Sequence, residues 1–449
     1  IALGAMPVTS VYAADCANTS VTQYRSANTG NWNVPATWEC SDDGTNWQVP
    51  TTNTPTNANS FITIRNGHNV TVSANVTADQ LTIDAGGQVT VSTGITWTLN
   101  NGTGATDITV NGTIENSGTM ADVGNAVLVF SSGSIYRHAQ NGGVIPSSVD
   151  FAPVTWNSAS TVEITGITNT VPASGLNQSF GNFTWNSTGQ LAGTLSLGGN
   201  LTTINGNFTI PSTGAGAIRI NGSATDITVN VGGNYTQSAG TLIFSSGTGD
   251  VTFNVGGNFS VSNGVFNMSN NDAAVGTVNL TGNFTHTGGT IREIALNTGN
   301  FNFLTGTHSF TSGGTVTGDI NFVVNSGATL NMGTSTMSGN AFTLSNGGTL
   351  GIGSPNGITT APTASGNIQT TTRTYNTGAN YTYNGTANQA TGNGLPATVN
   401  NLTIDNTGGA GNNIVTLGAS HTVNGVLTFT NGNIATGANS IILPVAATV

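Results

Sequence analysis

Along most of the chain, short runs of residues alternate apolar and polar positions, and turns rich in Gly, Asn, Ser and Thr separate them. From about residue 61 onward, runs such as 70–72, 81–83 and 95–99 place apolar residues two apart. A period of two is the pattern of a β-strand with one buried face. No segment of helical length shows the apolar period of a helix. The pattern predicts an all-β protein.

The strands recur at a regular interval. A Gly-Asn-aromatic triplet begins at Gly206, Gly233, Gly257 and Gly282, so successive triplets are 27, 24 and 25 residues apart, and a looser version spans 306–310. A unit of this length holds about three short strands and cannot bury its apolar side chains alone, whereas stacked units share a continuous core. The repeat predicts a right-handed parallel β-helix, or β-solenoid, with about 25 residues per turn. The triplets, which we expect to stack at one corner, are Gly206, Asn207 and Phe208; Gly233, Asn234 and Tyr235; Gly257, Asn258 and Phe259; Gly282, Asn283 and Phe284.

Three segments are expected along the chain. Residues 1–13 are an apolar run that ends in small residues, as the tail of a secretory signal peptide does. Residues 14–60 are predicted to form a small N-terminal cap in which Trp32 and Trp38 pack. Residues 61–449 are predicted to form the solenoid. Because 441–449 still have a strand pattern without a polar cap, we expect the solenoid to continue beyond Val449.

Composition narrows the possible partners. Only 5% of residues are charged, the six basic residues include no Lys, and the net charge is −11. Stacked strands lie about 4.8 Å apart, so like charges in one column would repel, whereas Asn and Thr can form hydrogen-bonded ladders. Scattered Arg residues exclude a basic footprint for nucleic acid. No run approaches the ~20 apolar residues of a membrane-spanning helix, so no transmembrane anchor is predicted within these 449 residues.

Cys16 and Cys40 are the only two cysteines. In an exported chain an isolated pair predicts one disulfide, which here ties the N-terminal strand to the Trp-rich cap. The alternatives, a metal pair or a reactive thiol, lack the His, Cys or carboxylate neighbours that such sites use.

Two stretches, 132–186 and 381–406, resemble modules of type IX-secreted bacterial cell-surface proteins that carry β-solenoid stalks. The stretch Gly30-Asn31-Trp32, followed by 35–38, 62–64 and 67–70, is similar to the eight-glycine domain, an extracellular β-rich module. The resemblances imply a secreted protein at the outer cell surface and leave its activity open.

Carboxylates are the first candidates for chemistry, because β-helix lyases and glycosidases bring two or more of them together. Asp42 and Asp43 are the only adjacent pair and lie in a polar turn. Asp226 and Asp250 lie 24 residues apart and could stack on successive turns, although we expect them to mark turns.

Histidines and tryptophans are the other candidates. His286 and His308 lie 22 residues apart, so a shared metal is conceivable, but no third ligand accompanies them and we expect surface or ladder positions. Trp156 and Trp185 are expected in the core or at corners, with an exposed aromatic row for sugar stacking as the alternative. We predict no catalytic, cofactor or metal site.

The predicted function is that of an extracellular structural or adhesive surface protein: a stalk, a spacer or a filament subunit. The expected partners are copies of the chain, joined end to end or through a donated strand, or cell-surface and extracellular polysaccharide. A carbohydrate-active β-helix enzyme, either a polysaccharide lyase or a glycosidase, is the first alternative. A sugar- or ice-binding module is the second, although Thr-x-Thr triplets are sporadic, at 96–98, 315–317 and 428–430.

Overall fold

The computed structural model describes residues 15–59, 61–363 and 365–449. Its strands stack in parallel into a β-solenoid of about 15 turns with about 24 residues per turn, which confirms the predicted fold. One turn is called a rung below. In the described part of the chain the regular structure is β, apart from the 3-10 helix Pro35–Thr37. The predicted signal remnant, 1–13, lies outside the described residues.

The chain forms two compact units. Unit 1 comprises the described residues up to Ile167 with Pro172–Gly175, and unit 2 comprises Thr168–Val171 with the described residues from Leu176 to Val449. The segment predicted as a cap shares its sheets with the rungs that follow it, because Gln23–Ser26 pairs in parallel with Phe61–Ile64.

Unit 1 contains three sheets, parallel except that Gln23–Ser26 and Trp38–Ser41 pair antiparallel. Sheet 1 contains Trp38–Ser41, Gln23–Ser26, Phe61–Ile64, Leu81–Ile83, Ile108–Val110, Leu128–Phe130 and Val154–Trp156. Sheet 2 contains Gly30–Asn31, Asn69–Val72, Gln88–Val91, Thr113–Asn116, Ile135–His138 and Thr161–Ile164. Sheet 3 contains Val76–Ala78, Thr96–Asn100 and Thr119–Val123.

Unit 2 contains five parallel sheets. Sheet 4 contains Ser179–Phe180, Thr203–Ile204, Ile227–Val231, Val251–Val255, Gly276–Leu280, Gly299–Phe303, Ile320–Val324, Ala341–Leu344 and Thr372–Tyr375. Sheet 5 contains Asn182–Asn186, Phe208–Ser212, Tyr235–Gln237, Phe259–Val261, Phe284–His286, Gly306–Ser312, Ala328–Asn331, Thr349–Ile352, Asn380–Tyr383, Asn401–Asp405 and Leu427–Asn431. Sheet 6 contains Thr194–Ser196, Ala217–Asn221, Thr241–Ser245, Val265–Ser269, Thr290–Arg292 and Thr315–Thr317. Sheets 7 and 8 are short: Gln389–Ala390, Ile414–Thr416 and Asn433–Ala435 form the first, and Thr398–Val399, His421–Val423 and Ile441–Ile442 form the second.

The core lies between the inward faces of the sheets. In Val251–Val255 the first, third and fifth side chains are buried and the two between them are half-buried. Phe253 lies in register with Val278, and Val278 with Phe301, so apolar side chains form columns inside the solenoid. Burying one such side chain contributes roughly 1.5–3 kcal/mol, so the inward columns are the main stabilising term.

The predicted disulfide joins Cys16 to Cys40, with the two Cα atoms 6.2 Å apart. Beside it, Trp32 and Trp38 are fully buried with ring centroids 5.0 Å apart. The Trp38 indole donates a hydrogen bond to the Trp32 carbonyl at 2.7 Å. Covalent and aromatic contacts together hold the first strands of unit 1.

Candidate functional site

The four Gly-Asn-aromatic triplets lie on successive rungs at one corner of unit 2. Phe208 is in register with Tyr235, Tyr235 with Phe259, and Phe259 with Phe284. The Phe259 and Phe284 rings stack at 5.4 Å with an interplanar angle of 11°. Phe310 continues the column, 4.7 Å from Phe284. The aromatic member of each triplet therefore fills the core.

The asparagine of each triplet forms a ladder that links side chain to backbone. The side-chain oxygen of Asn207 accepts a hydrogen bond from the Asn234 backbone N–H at 2.8 Å. Asn234 accepts in the same way from Asn258 at 2.8 Å, and Asn258 from Asn283 at 2.9 Å. These bonds satisfy backbone donors at a corner, where the sheet hydrogen bonds are interrupted. The triplets are thus architectural residues.

A different ladder covers the outward face of sheet 4. Its side chains are exposed or half-buried, and no charged residue occurs in the five strands from Ile227–Val231 to Ile320–Val324. Asn254 donates to Asn230 at 2.8 Å, Asn279 to Asn254 at 2.9 Å, and Asn302 to Asn279 at 2.9 Å. We call this surface the Thr/Asn face. Its two columns are Thr228, Thr252, Thr277, Asn300 and Asn321, and Asn230, Asn254, Asn279 and Asn302.

Asp226 and Asp250 do lie on successive rungs. Asp226 accepts a hydrogen bond from the Asp250 backbone N–H at 2.9 Å, and Asp250 accepts from the Val275 backbone N–H at 2.7 Å. Each carboxylate therefore binds the backbone ahead of the next strand, as a turn residue does. Asp42 accepts a hydrogen bond from the Ala17 backbone N–H at 3.0 Å. Asp43 binds its own turn: it accepts from the backbone N–H groups of Asn46 and Thr45, which hold the pKa of its carboxyl well below the usual range.

The two candidate histidines do not meet. His308 places its two ring nitrogens 2.6 Å and 2.7 Å from the backbone carbonyls of Gly282 and Leu304. His286 is in register with Ser312, four residues beyond His308 on the same strand. That separation is roughly 13 Å at the rise of a strand. No group of three His, Cys, Asp or Glu residues suited to a metal ion occurs in the described residues.

A carboxylate pair that the sequence did not reveal lies in unit 1. Asp79 and Asp107 are 6% and 1% exposed, and the Gln80 side chain donates to Asp107 at 3.1 Å. Burial, followed by the charge of Asp107 and a hydrogen bond with it, raises the pKa of Asp79 although the Gln80 N–H groups oppose the shift. A groove of about 480 Å³, lined in part by Phe61, opens beside the pair.

The same pair has a structural explanation. The backbone N–H groups of Gly102 and Val127 donate to Asp107 at 2.8 Å and 2.7 Å. Carboxyls in direct hydrogen-bond contact are also closer than the roughly 5–9.5 Å that separates the two carboxyls of glycosidases. The sequence did contain a signal for this pair, because Asp79 and Asp107 each lie just before a strand and those two strands pair in register. The signal is weak, because the two aspartates lie at different distances from their strands.

The tryptophans do not form an exposed row. Trp32, Trp38, Trp97, Trp156 and Trp185 are all buried. The sixth, Trp47, is half-buried beneath the Arg25 guanidinium, whose carbon lies 4.0 Å from the ring centroid. Trp156 and Trp185 thus lie in the core, as expected.

Comparison with known proteins leaves the fold as the basis for classification. No family model matches the chain, and neither a curated protein nor a solved structure matches it. Within the described residues, no helix is long and apolar enough to cross a membrane. The molecule is therefore classed by its fold alone, as a parallel β-solenoid.

Proposed function

We propose that this protein is an extracellular structural or adhesive surface protein, and that the Thr/Asn face contacts neutral polysaccharide. The Thr/Asn face is the observation that carries the proposal. An amide has two N–H donors and two acceptor lone pairs, and a ladder uses one of each. Each ladder asparagine of this face keeps a donor and an acceptor for a hydroxyl-bearing partner.

The spacing of the face suits a repeating partner. Its rungs recur about every 4.8 Å, and alternate residues in one strand lie roughly 6.6 Å apart. A regular array of weak contacts gives useful affinity to a polymer through multivalency, although each contact alone is weak. The lack of charge favours neutral over acidic polymers, because a neutral face offers no ion pairs to offset the desolvation of carboxylates.

Three features support a location outside the cell: the disulfide, the apolar run at 1–13 and a sequence resemblance. A disulfide persists in oxidising compartments and is rare in the cytosol. The chain has one disulfide, between Cys16 and Cys40. The apolar run at 1–13 is the expected end of a secretory signal. The resemblance of 132–186 and 381–406 to surface-protein modules agrees with this location.

The test is binding of the purified protein to immobilised neutral and acidic polysaccharides. The double variant Thr252→Lys/Thr277→Lys places two charges on the Thr/Asn face. Ser260→Lys/Thr285→Lys is the matched control, because it places the same charges on the outward side of sheet 5 in the same rungs. We expect binding to neutral polymers, at least a tenfold loss in the first variant, and little change in the second.

Three results would overturn the proposal. Equal binding by both double variants would remove the face from recognition. Release of new polysaccharide ends by the wild-type protein would favour the enzyme alternative. Thermal hysteresis of freezing without polysaccharide binding would favour the ice-binding alternative.

A further inference from the structure

Sheet 5 changes register at the strand Gly306–Ser312. Phe310 and Ser312 pair with the preceding rung, in register with Phe284 and His286. The first part of the strand pairs with the following rung instead, from Gly306 opposite Ala328 to Ser309 opposite Asn331. The sheet is therefore displaced along the strand direction, and Phe310–Ser312 is not covered by the next strand.

A cavity of about 240 Å³ lies at this displacement. Sheet 6 ends beside it at Thr315–Thr317. The buried side chains of Phe284, Phe310 and His286 line its inner part, and the exposed Thr336 and Ser338 lie at its mouth. Ser312, also in the lining, donates to the Thr336 carbonyl at 2.6 Å. The cavity thus combines an aromatic wall with hydroxyl groups and no charged side chain.

His286 supplies a buried acceptor to this cavity. Its side chain is 1% exposed, and its Nε2 atom has no hydrogen-bond partner. Burial lowers the pKa of His286, although the Gly289 carbonyl accepts a hydrogen bond from the ring. Because Nε2 is unpartnered, the donated proton lies on Nδ1, and Nε2 carries a lone pair. Leaving such an acceptor buried and unpaired costs free energy that a donor would recover.

Gly314 allows the His286 ring to occupy this position. A Cβ atom at Gly314 would overlap Nε2 of His286, so the ring edge packs against this residue and only glycine fits there. Gly314 lines the same cavity, and its backbone N–H donates to the His286 carbonyl at 3.0 Å. The backbone therefore fixes the position of His286, and the missing side chain leaves room for its ring.

We propose that this cavity binds one small uncharged polyhydroxylated molecule, a polyol or a single sugar unit, whose hydroxyl groups bond to the polar atoms of the lining next to His286. The volume equals that of about eight waters at roughly 30 Å³ each, which fits a molecule of this size. The Phe310 ring offers an apolar surface for its carbon skeleton. A metal ion fits poorly, because the described residues place no group of three metal-ligating side chains anywhere. The site is separate from the Thr/Asn face and does not depend on the proposed function.

The experiment is titration of the full chain with glycerol and with D-glucose, followed by calorimetry and by ¹⁵N spectroscopy of the histidine rings. Glycerol phosphate and glucuronate serve as charged counterparts. His286→Gln identifies the ring resonances. We expect millimolar binding of at least one neutral probe, a shift of the His286 Nε2 resonance, and weaker binding of its charged counterpart. The stronger neutral probe distinguishes a polyol site from a sugar site.

Two variants test the assignment. Gly314→Ala retains the histidine but places a methyl group against its ring edge and displaces the ring, and His286→Phe removes the ring nitrogens; each should weaken binding at least tenfold. Thr285→Ala is the control, because Thr285 faces outward between two inward residues of the same strand and should bind normally. Thr252→Lys/Thr277→Lys should also bind normally, which separates this site from the polysaccharide face.

Two results would contradict the proposed binding site. No shift of the wild-type His286 resonance at saturating glycerol or glucose would mean that the cavity holds water only. Undiminished binding in a folded Gly314→Ala variant would place the ligand elsewhere. If His286→Phe fails to fold, the wild-type spectrum and Gly314→Ala still decide the question.

Discussion

The side-chain oxygen of Asn258 accepts a hydrogen bond from the backbone N–H of Asn283, one rung further along, at 2.9 Å. Because the acceptor is a side chain and the donor is backbone, the bond requires asparagine at the first position only. At the end of this run the donor is the backbone N–H of Ser309, which binds Asn283 at 2.8 Å. A residue other than asparagine can therefore follow the ladder without interrupting it.

Replacing Asn258 with alanine should destabilise the protein by about 1 kcal/mol, the usual net value of one hydrogen bond. The exposed corner lets water replace part of the lost bond, so a larger effect is not expected. Urea denaturation measures the change. Ser260→Ala, two residues away and outward-facing, should change stability by less than about 0.5 kcal/mol. Equal effects of the two variants would contradict the ladder role.

Gly282→Ala should destabilise by roughly 1–3 kcal/mol, as overpacking does. A Cβ at this position would overlap the Gly257 carbonyl oxygen of the preceding rung. Gly189→Ala is the matched control, because a Cβ there meets no atom within 4 Å. Thermal unfolding should separate the two variants clearly. A neutral Gly282→Ala would mean that the corners tolerate a wider spacing than the structure has.

The free energy of unfolding should fall as the pH rises, because the carboxyl-bearing residue Glu293 is buried and only 2% exposed. Burial, followed by the charges of Asp319 and Asp272, raises the pKa of Glu293 to about 7 against the opposing backbone N–H groups. A carboxyl group with a higher pKa in the folded protein than in the unfolded chain does not reduce the free energy of unfolding at pH values below its unfolded-state pKa. It reduces that free energy as the pH rises from there through the folded-state pKa.

Glu293→Gln should therefore stabilise the protein at pH 8, by up to about 3 kcal/mol, and change little at pH 4. Thermal unfolding at both pH values measures the difference. Glu163→Gln, which removes a carboxylate bonded to Arg137 at 2.9 Å, should give no gain at pH 8. A uniform effect of Glu293→Gln at both pH values would refute the titration argument.

Removing the disulfide by Cys16→Ser/Cys40→Ser should cost about 3 kcal/mol, the expected value for a loop of this length. The loss should appear as faster hydrogen exchange in Gln23–Ser26 and Trp38–Ser41, with the strands of unit 2 unchanged. Intact mass before and after reduction should differ by two hydrogens. Two free thiols in the native protein would refute the bond.

The rungs could be predicted from sequence because their cause is local. Alternation in Val251–Val255 reports one buried face, and the interval between Asn258 and Asn283 reports the length of a turn. Both signals can be read from the sequence without knowing which sheet a strand joins. Self-association through a donated N-terminal strand stays a prediction, because 1–14 lies outside the described residues.

The cavity and the carboxylate pair could not be predicted, since both depend on register between rungs. The looser repeat at 306–310 correctly indicated another rung, but not that Gly306–Ser309 would pair forward while Phe310 pairs back. Asp79 and Asp107 come together on neighbouring rungs, where Leu81–Ile83 pairs with Ile108–Val110, and Gln80 between Asp79 and its strand has a positive φ of 50°, which sequence alone does not indicate for glutamine.

The corner ladder also bears on how such a chain changes its length during evolution. Each asparagine of the ladder binds the main chain of the following rung, which is present whatever residue occupies that position. A duplication or deletion of one repeat, about 24 residues, would restore the same bond at the new junction. The gene can therefore lengthen or shorten the protein in whole repeats without inventing a new core.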